Sequence, residues 1–586
     1  MQERDERKRV WVIAAGLFIA LLCLAGRLAF LHLANHSKLN NFEYSKQLLG
    51  MRGRIFDCNG TQFPMAISLT ARQYFVDPQS VNKKHDRAYI IQTVATALKL
   101  PLEEVQAAFN RTDSRYIKLG PPSCDDITFA LISTNKLLSG VSATETIVRS
   151  YPQGRRMSHV LGFVNKEGVG SAGVELKYDS YLKGIEGLIE GEKDAGQAEI
   201  RARRKIDVQP IAGSDVHLTL DHNIQYVVET ALKEGVENAQ ANGGWAIVQN
   251  IKSGAILAMA SYPDFEPANY NEKTKDVWRN KNFSEIYEPG SIMKSFTVAA
   301  ALNEGLITPN TMFDVGEGIF FYAGKPLRDH VTGRITTTIA LKKSSNIACA
   351  KIGMMLGPKR LETYFRSFGF GSPLGLDLPG EEGGLLVRGK DWDRDKLKIA
   401  RVPIGQGVCV TAVQMVNAYS TLANGGKVMK PYLIDRIVSA NGQIIEQKKP
   451  TVQARPIRPE VAKLVCDMLV GVTEEGGTGK KAVVKGYSVA GKTGTAQQVI
   501  PGSGYSSTDY WASFVGFVPA SNPVFCVLVT IDRPDPKKPR TGGVIAAPVF
   551  SKIATATAQY LGVPPDLPED IEKEENKLSA GKIVKR

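Results

Sequence analysis

The strongest hydrophobic pattern in the chain lies near its beginning. Residues 10–26 are apolar throughout, Arg27 interrupts the run, and residues 28–34 are mostly apolar again. As a helix, residues 10–33 would be about 36 Å long, enough to cross a bilayer with some tilt. Residues 1–9 contain four basic side chains, which predicts that they stay in the cytoplasm. We expect an uncleaved anchor, since a signal peptide usually has a shorter apolar core and a small-residue cleavage site.

The second half of the chain alternates between short apolar runs and helical periodicity. Apolar runs bounded by turn residues predict strands at 216–220, 246–250, 255–260, 511–518 and 524–531. Helical spacing predicts helices at 291–304, 339–356, 412–423 and 548–560. Strands at both ends with helices between them predict an α+β domain, an antiparallel sheet flanked by helices.

The remaining segments give weaker signals. Residues 37–213 are mixed, and Asn59-Gly60 predicts a hairpin turn within them. Asp221 is placed to cap a helix that begins near Asn223. The charged residues 563–586 predict a frayed tail.

Composition narrows the class of protein. The chain has 586 residues, 43% of them hydrophobic and 23% charged, which indicates several globular domains. The net charge of +14 raises the question of nucleic-acid binding, but no zinc-ligand pattern, RNA-binding motif or long basic helix is present. We therefore expect a basic surface that faces a membrane or an anionic polymer. The seven scattered cysteines form no C-x-x-C and indicate neither a disulfide framework nor a zinc cluster.

Three short motifs carry the candidate chemistry. They are Ser291-Ile-Met-Lys294, Ser344-Ser-Asn346 and Lys492-Thr-Gly494. Together they offer a nucleophile beside an amine, a hydroxyl–amide pair and a cationic strand edge, the groups needed for acyl transfer through serine. Each motif alone is common, and S-x-x-K also occurs at residues 80–83 and 133–136. The order of the three motifs and their predicted elements favour Ser291.

The first motif predicts a nucleophile and its base. Ser291 follows a turn and opens a predicted helix, where free backbone N–H groups can stabilise an oxyanion. Lys294 lies on the same helical face. Its usual pKa is too high for a base, so we expect burial and the neighbouring cation Lys492 to lower it. The alternative is an ordinary N-terminal serine with a surface lysine.

The other two motifs predict a proton relay and a substrate-binding edge. Ser344 could pass a proton, and Asn346 could hold the substrate's peptide bond, although both could simply cap a helix. Gly494 would allow a substrate backbone to approach closely. Lys492 and Thr493 could bind a carboxylate, and the Thr495 N–H could be the second oxyanion donor. The alternative is an ordinary strand that contains glycine.

Other catalytic chemistries find little support in the sequence. We find no H-E-x-x-H, no Walker A pattern and no convincing G-x-S-x-G. The seven histidines are not clustered, so we expect no metal site and no cofactor, and lysine is left as the base for Ser291.

These motifs and several others together resemble the class B penicillin-binding proteins, membrane-anchored peptidoglycan D,D-transpeptidases. The resemblance runs from the anchor to about residue 562. The matching segments are Arg52–Gly60, Gly170–Glu175, Tyr287–Lys294, Ser344–Asn346, Ile404–Gly407, Lys492–Gln497, Trp511–Phe517 and Ala547–Phe550. Leu378–Glu381, Ile404–Gly407 and the lack of a large catalytic-domain insertion make the septal, cell-division type more similar than the elongation type.

The resemblance implies a domain plan and a fold. It implies a cytoplasmic segment 1–9, an anchor 10–33, a non-catalytic pedestal (dimerisation) domain 37–213 and a transpeptidase domain 214–562. The transpeptidase domain would have the penicilloyl-serine transferase fold, with a five-stranded antiparallel sheet flanked by helices. Cys58 replaces the usual arginine, and Asn250 replaces a frequent aspartate. Both positions lie outside the three motifs, so these two differences concern the detailed structure and not the predicted activity.

The resemblance also implies a mechanism and partners. Ser291 would be acylated by the D-Ala–D-Ala end of a stem peptide, with Lys294 as base, Ser344 and Lys492 as proton relays and Asn346 as substrate ligand. β-Lactams would acylate the same serine. A membrane-embedded polymerase of the SEDS type and other division proteins would be partners, with the catalytic domain outside the cytoplasmic membrane at the septum.

Four other functions compete with this one. A carboxypeptidase or β-lactamase would use the same motifs with water as acceptor, but the pedestal and anchor disfavour both. A β-lactam sensor should carry a signalling region, and only nine residues precede the span. An inactive scaffold should have lost a catalytic residue, and all are present.

Overall fold

The computed structural model describes residues 2–39, 43–81, 86–138, 140–194, 198–272, 274–500 and 502–568. The helices are α1 Gln2–Leu39, α2 Pro78–Val81, α3 Arg87–Leu98, α4 Leu102–Asn110, α5 Asp126–Thr134, α6 Ser158–Leu161, α7 Gly173–Lys177, α8 Asp179–Leu182, α9 His222–Asn238, α10 Lys275–Trp278, α11 Lys281–Ser284, α12 Lys294–Asn303, α13 Thr337–Lys342, α14 Asn346–Ser367, α15 Asp391–Arg394, α16 Lys398–Arg401, α17 Ala412–Ala423, α18 Pro459–Thr473 and α19 Gly542–Tyr560.

The strands are β1 Glu43–Leu48, β2 Ile55–Phe56, β3 Pro64–Val76, β4 Ile117–Ser123, β5 Val141–Ser150, β6 Gly187–Glu192, β7 Ile206–Val208, β8 Asp215–Leu218, β9 Gly243–Asn250, β10 Ile256–Tyr262, β11 Met312–Asp314, β12 Ile319–Tyr322, β13 Lys325–Arg328, β14 Arg334–Thr336, β15 Val428–Met429, β16 Ile434–Val438, β17 Ile444–Gln447, β18 Val452–Ala454, β19 Ala490–Ile500, β20 Gly504–Val518 and β21 Phe525–Asp532. Short 3₁₀ helices occur at Lys136–Leu138, Arg201–Arg203, Pro267–Glu272, Gly290–Met293, Val402–Ile404 and Lys480–Ala482.

The chain forms two compact units, each made of two segments. The first unit contains residues 1–52 and 183–213, and the second contains residues 53–182 and 214–586. The first unit contains α1 and an antiparallel sheet in the order β1-β6-β7. Among the described residues, one helical segment, Arg7–Leu31, is long and apolar enough to cross a membrane. Its mean hydropathy is 2.3, and its apolar side chains are not covered by the rest of the protein. The prediction of one apolar spanning helix agrees with this finding.

The second unit contains two main sheets. One has the order β17-β16-β8-β2-β3-β4, with β5 also paired to β3. Within it, β2 and β3 pair antiparallel across the predicted Asn59-Gly60 turn, where Gly60 has a φ of +105°. The predicted domain boundary at 213/214 is a different division from the two compact units, and it stays a prediction.

The other sheet is antiparallel with five strands in the order β10-β9-β21-β20-β19. All eight residues of β21 are buried, because alternate side chains enter hydrophobic clusters on opposite faces of the sheet. Helices α9 and α19 cover one face, while α12, α14, α17 and α18 belong to the cluster on the other. This confirms the predicted α+β fold.

Several predicted elements differ in their limits. The predicted helix 339–356 is broken into α13 and α14, and α19 begins six residues before the predicted start. Asp221 caps α9 as predicted, because its carboxylate accepts hydrogen bonds from the N–H groups of Asn223 and Ile224. Most of the predicted tail, residues 569–586, lies outside the described residues, as do Asn82 and Lys83 of the first S-x-x-K repeat.

Candidate active site

The Lys492 motif lies on an edge strand. β19 is the last strand of the five-stranded sheet, and β20 is its one partner among the described strands, with Lys492 opposite Val515 and Gly494 opposite Ser513. The free edge can therefore accept an extended peptide as an additional strand. This is the position that the sequence predicted for the motif.

The nucleophile motif lies on a 3₁₀ turn and not on the first α-helical turn. Ser291 is in Gly290–Met293, and α12 begins only at Lys294. Gly290 has a φ of +55°, and its N–H donates to the carbonyl of Gly405 over 3.1 Å. The tight turn leaves Ser291 half-buried while both residues that follow it are buried.

Lys294 connects the first two motifs. Its side chain is fully buried, and its Nζ donates to the Ser344 carbonyl at 2.6 Å, to Ser344 Oγ at 3.2 Å and to Asn346 Oδ1 at 2.7 Å. The structure thus brings together the amine, the hydroxyl and the amide that the sequence predicted. With three oxygen acceptors, the ammonium form keeps hydrogen-bond partners despite its burial.

The break between α13 and α14 positions Ser344. Ser344 has a φ of +61°, a left-handed conformation that is unusual for serine and marks local strain. Ser345 is the N-cap of α14, and its Oγ accepts from the Ala348 N–H at 3.1 Å. The capping interpretation thus applies to Ser345, while Ser344 and Asn346 remain directed to Lys294.

Asp329 holds this turn from a neighbouring segment. Its carboxylate accepts a short hydrogen bond from Ser345 Oγ and another from the Ile347 N–H at 3.1 Å. The preceding carbonyl, of Arg328, accepts from Asn346 Nδ2 at 2.9 Å. Sequence reasoning missed Asp329, because it lies 16 residues before Ser345 and belongs to none of the three motifs.

The two lysines differ from exposed lysines in their protonation. Loss of hydration on burial lowers the pKa of Lys294 to about 8, against the opposing effect of Asp329. Burial also lowers the pKa of Lys492 well below its usual value, and the charge of Lys294 adds to that effect. We expected burial and Lys492 together to lower the pKa of Lys294. Burial is the main cause, and the repulsion between the two lysines lowers the pKa of Lys492 instead.

The three residues after Lys492 have different environments. Thr493 Oγ1 lies 2.8 Å from Thr478 Oγ1, and Thr495 is exposed, with its Oγ1 accepting from the Gly542 N–H at 3.2 Å. A Cβ on Gly494 would lie 2.8 Å from the Ile292 side chain and 3.0 Å from the Pro289 carbonyl. Glycine is therefore required here for β19 to pack against the nucleophile turn, whereas we expected it to admit a substrate backbone.

Two more titratable groups belong to this region: Glu288, three residues before Ser291, and Cys349, which interacts electrostatically with both lysines. Glu288 is buried, and its Oε1 accepts from the Gly407 N–H at 2.8 Å and from the Tyr505 hydroxyl at 3.2 Å. Burial raises the pKa of Glu288. Burial likewise raises the pKa of Cys349 to about 11, so this cysteine stays a thiol at neutral pH. The sequence contains both residues but gave no reason to assign either a role.

The described residues contain no group of three or more His, Cys, Asp or Glu side chains that could hold a metal ion.

The Asp329 contacts should contribute to catalysis by holding the turn that carries Ser344 and Asn346. Asp329→Asn should lower the rate of acylation by about tenfold, because both carboxylate oxygens of Asp329 accept hydrogen bonds. One accepts from Ser345 and Ile347 and the other from the His330 N–H at 2.8 Å, so an amide would have to turn a donor toward one of these groups. Stopped-flow measurement with a chromogenic cephalosporin would give the rate. Asp314→Asn, at an exposed turn in the same segment, is the matched control. Equal rates for wild type and Asp329→Asn would contradict the positioning role.

Comparison with known proteins gives the family of the chain. The penicillin binding protein transpeptidase domain matches residues 244–555, and the penicillin-binding protein dimerisation domain matches residues 47–218. A probable peptidoglycan D,D-transpeptidase, PbpC of Pseudomonas aeruginosa, is 30% identical over 581 residues, which are 97% of this chain and 98% of the relative. Peptidoglycan D,D-transpeptidase FtsI of Escherichia coli K12 is 29% identical over 587 residues, 98% of this chain and 95% of the relative.

A solved structure is also similar. Penicillin binding protein 3 from Mycobacterium tuberculosis, complexed with aztreonam, has a TM-score of 0.68 and 28% identity, and the match covers 89% of this chain and 99% of that one. The transpeptidase family model covers more than half of the chain, and the match to PbpC covers nearly all of both proteins. The chain therefore belongs to the penicillin-binding transpeptidase family.

Proposed function

We propose that the protein cross-links peptidoglycan stem peptides through an acyl-enzyme on Ser291. The observation that carries the proposal is the buried Lys294 amine, which joins the nucleophile motif to Ser344 and Asn346 with a pKa of about 8. A buried amine that can lose its proton near neutral pH is what a serine nucleophile needs from its base.

The reaction has two halves. Ser291 Oγ attacks the carbonyl of the terminal D-Ala–D-Ala bond, and Lys294 takes the hydroxyl proton. The Ser291 and Thr495 N–H groups stabilise the oxyanion, while Ser344 and Lys492 return a proton to the departing D-alanine amine. The amine of a second stem peptide then attacks the ester, loses a proton through the same groups, and frees Ser291. Asn346, Thr493 and the edge of β19, which Gly494 packs against the nucleophile turn, hold the donor peptide, and no cofactor takes part.

The alternative acceptor is water, as in a carboxypeptidase or β-lactamase. Incubation of the full chain with a donor pentapeptide and an amine acceptor separates these outcomes. We expect release of D-alanine together with a new amide product at a comparable rate. Release of D-alanine with hydrolysis product alone would contradict transfer to an amine.

The pH dependence of acylation follows from the Lys294 pKa. Only the neutral amine can take the Ser291 proton, so the rate should rise as the pH increases through about 8 and level off above it. The rate of acylation by a fluorescent penicillin between pH 6 and 10 provides the test. A rate that falls over this range, or does not change, would remove Lys294 as the base.

We further propose a septal role in a single-pass membrane protein. The helix at Arg7–Leu31 and the similarity to FtsI support an anchor in the cytoplasmic membrane with the catalytic domain outside. The proposed targets are stem peptides and β-lactams, and the proposed partners are a SEDS-type polymerase and other division proteins. A fluorescent fusion should concentrate at mid-cell; labelling of the side wall would favour the elongation type.

The proposed pedestal, residues 37–213, gives a second cellular test. A variant that begins near residue 213 behind a foreign anchor should still bind penicillin, because the three motifs lie after that point. It should fail to support division in a depleted strain, since the active site must reach strands made by the membrane-embedded polymerase. Normal division by this chimera would show the pedestal to be dispensable and the polymerase partnership to be wrong.

A further inference from the structure

A two-stranded ribbon beside the active site has one packed face and one bare face. β12 and β13 pair antiparallel, with Ile319 opposite Arg328 and Phe321 opposite Pro326. The other face packs against the hydrophobic core through Phe320 and Leu327. On the bare face, Phe321 is 70% exposed and Ile319 46% exposed. Large apolar side chains grouped on an exposed face often mark a binding surface.

The ribbon is fixed directly to the catalytic turn. Its last residue, Arg328, receives the hydrogen bond from Asn346, and the next residue, Asp329, holds Ser345 and Ile347. The Asp329 N–H in turn donates to the Gly318 carbonyl at 2.9 Å, which closes the base of the ribbon. The bare face therefore ends at Arg328, whose own carbonyl contacts the active-site residue Asn346.

The charge of the ribbon limits what it can bind. Residues 319–328 contain two cationic side chains, Lys325 and Arg328, and no acidic one. Both are exposed, and no described ion pair involves either of them. An apolar ring and a guanidinium on one flat surface suit a ligand that is amphipathic and carries carboxylates.

We propose that this bare face, Ile319, Phe321, Pro326 and Arg328, binds the sugar backbone of the peptidoglycan strand whose stem peptide enters the active site. The inference rests on the proposed transpeptidase function. The C–H face of a pyranose ring is weakly positive and stacks on the negative face of the Phe321 ring. The Arg328 guanidinium donates to carboxylate or carbonyl oxygens that leave the sugar on the same side.

The proposal predicts that the ribbon matters only for substrates with sugars. Phe321→Ala should lower kcat/KM for un-cross-linked glycan strands bearing pentapeptides by about tenfold, the loss expected for one stacked ring. The same variant should turn over a sugar-free pentapeptide donor, and react with penicillin, at the wild-type rate. Phe321→Tyr keeps the ring and should restore activity on strands. Ile444→Ala, at another exposed position of a strand in the same unit, is the matched control.

The outcomes separate this inference from the proposed function. Equal loss on strands and on the sugar-free donor would show a structural role for Phe321 and overturn the proposal. No loss on strands, or an equal loss for Ile444→Ala, would also overturn it. Failure of the proposed function would instead appear in the wild type, as no penicillin adduct on Ser291 and no turnover of either donor.

Discussion

Ser291→Ala should abolish covalent labelling of the full-length protein by a fluorescent penicillin. The 3₁₀ turn holds Ser291 three residues before the buried Lys294, and alanine leaves no atom there that can form the ester. The substitution removes one oxygen from a half-buried side chain, so the fold should persist. Gel fluorescence after incubation, normalised to the folded protein, measures the loss.

The repeats of the same motif provide the controls. Ser80→Ala and Ser133→Ala remove the serines of the two other S-x-x-K segments and should leave labelling unchanged. Ser133 lies exposed near the end of α5, where its hydroxyl donates to the Ala130 carbonyl, and Lys136 lies outside that helix. Peptide mass spectrometry should find the adduct on Ser291, and an adduct on any other residue would contradict the assignment.

The sequence was sufficient for the fold class because its patterns follow the physical environment of the elements. Strands β9 and β21 are buried on both faces, so their sequences contain continuous apolar runs that predict strands. The Asp221 cap and the Asn59-Gly60 turn are local, and local chemistry decides them. The break between α13 and α14 was missed, since Ser344 adopts a conformation that its residue type disfavours.

The site was predicted where it depends on motifs and missed where it depends on tertiary contacts. Spacing alone placed Lys294 beside Ser291, and the order of motifs suggested that Asn346 would join them. Nothing in the sequence indicated that Asp329 supports the turn, or that Gly494 packs against Ile292. Both contacts join segments that meet only after folding. Burial was expected to lower the pKa of Lys294, but the way in which the two lysines affect each other depends on the folded site and was not foreseen.

Lys294→Arg should lower the rate of acylation by about a thousandfold, within the range for loss of a general base. Arginine keeps the positive charge, but its pKa is too high for it to lose a proton in a working enzyme. The neutral amine, available in the wild type at a pKa of about 8, would be gone. Single-turnover kinetics with a fluorescent penicillin measure the change.

The larger guanidinium must fit a site in which Lys294 is fully buried, so folding has to be measured as well. Thermal unfolding identifies preparations of Lys294→Arg that remain folded. Lys343→Arg makes the same exchange at an exposed position next to Ser344 and should acylate at the wild-type rate. The pH profile adds a second criterion: whatever acylation remains in Lys294→Arg should lose the rise near pH 8, because the group that titrates there is absent. A folded Lys294→Arg protein that acylates at a near-normal rate, with the same pH dependence, would exclude lysine as the base and direct attention to Ser344.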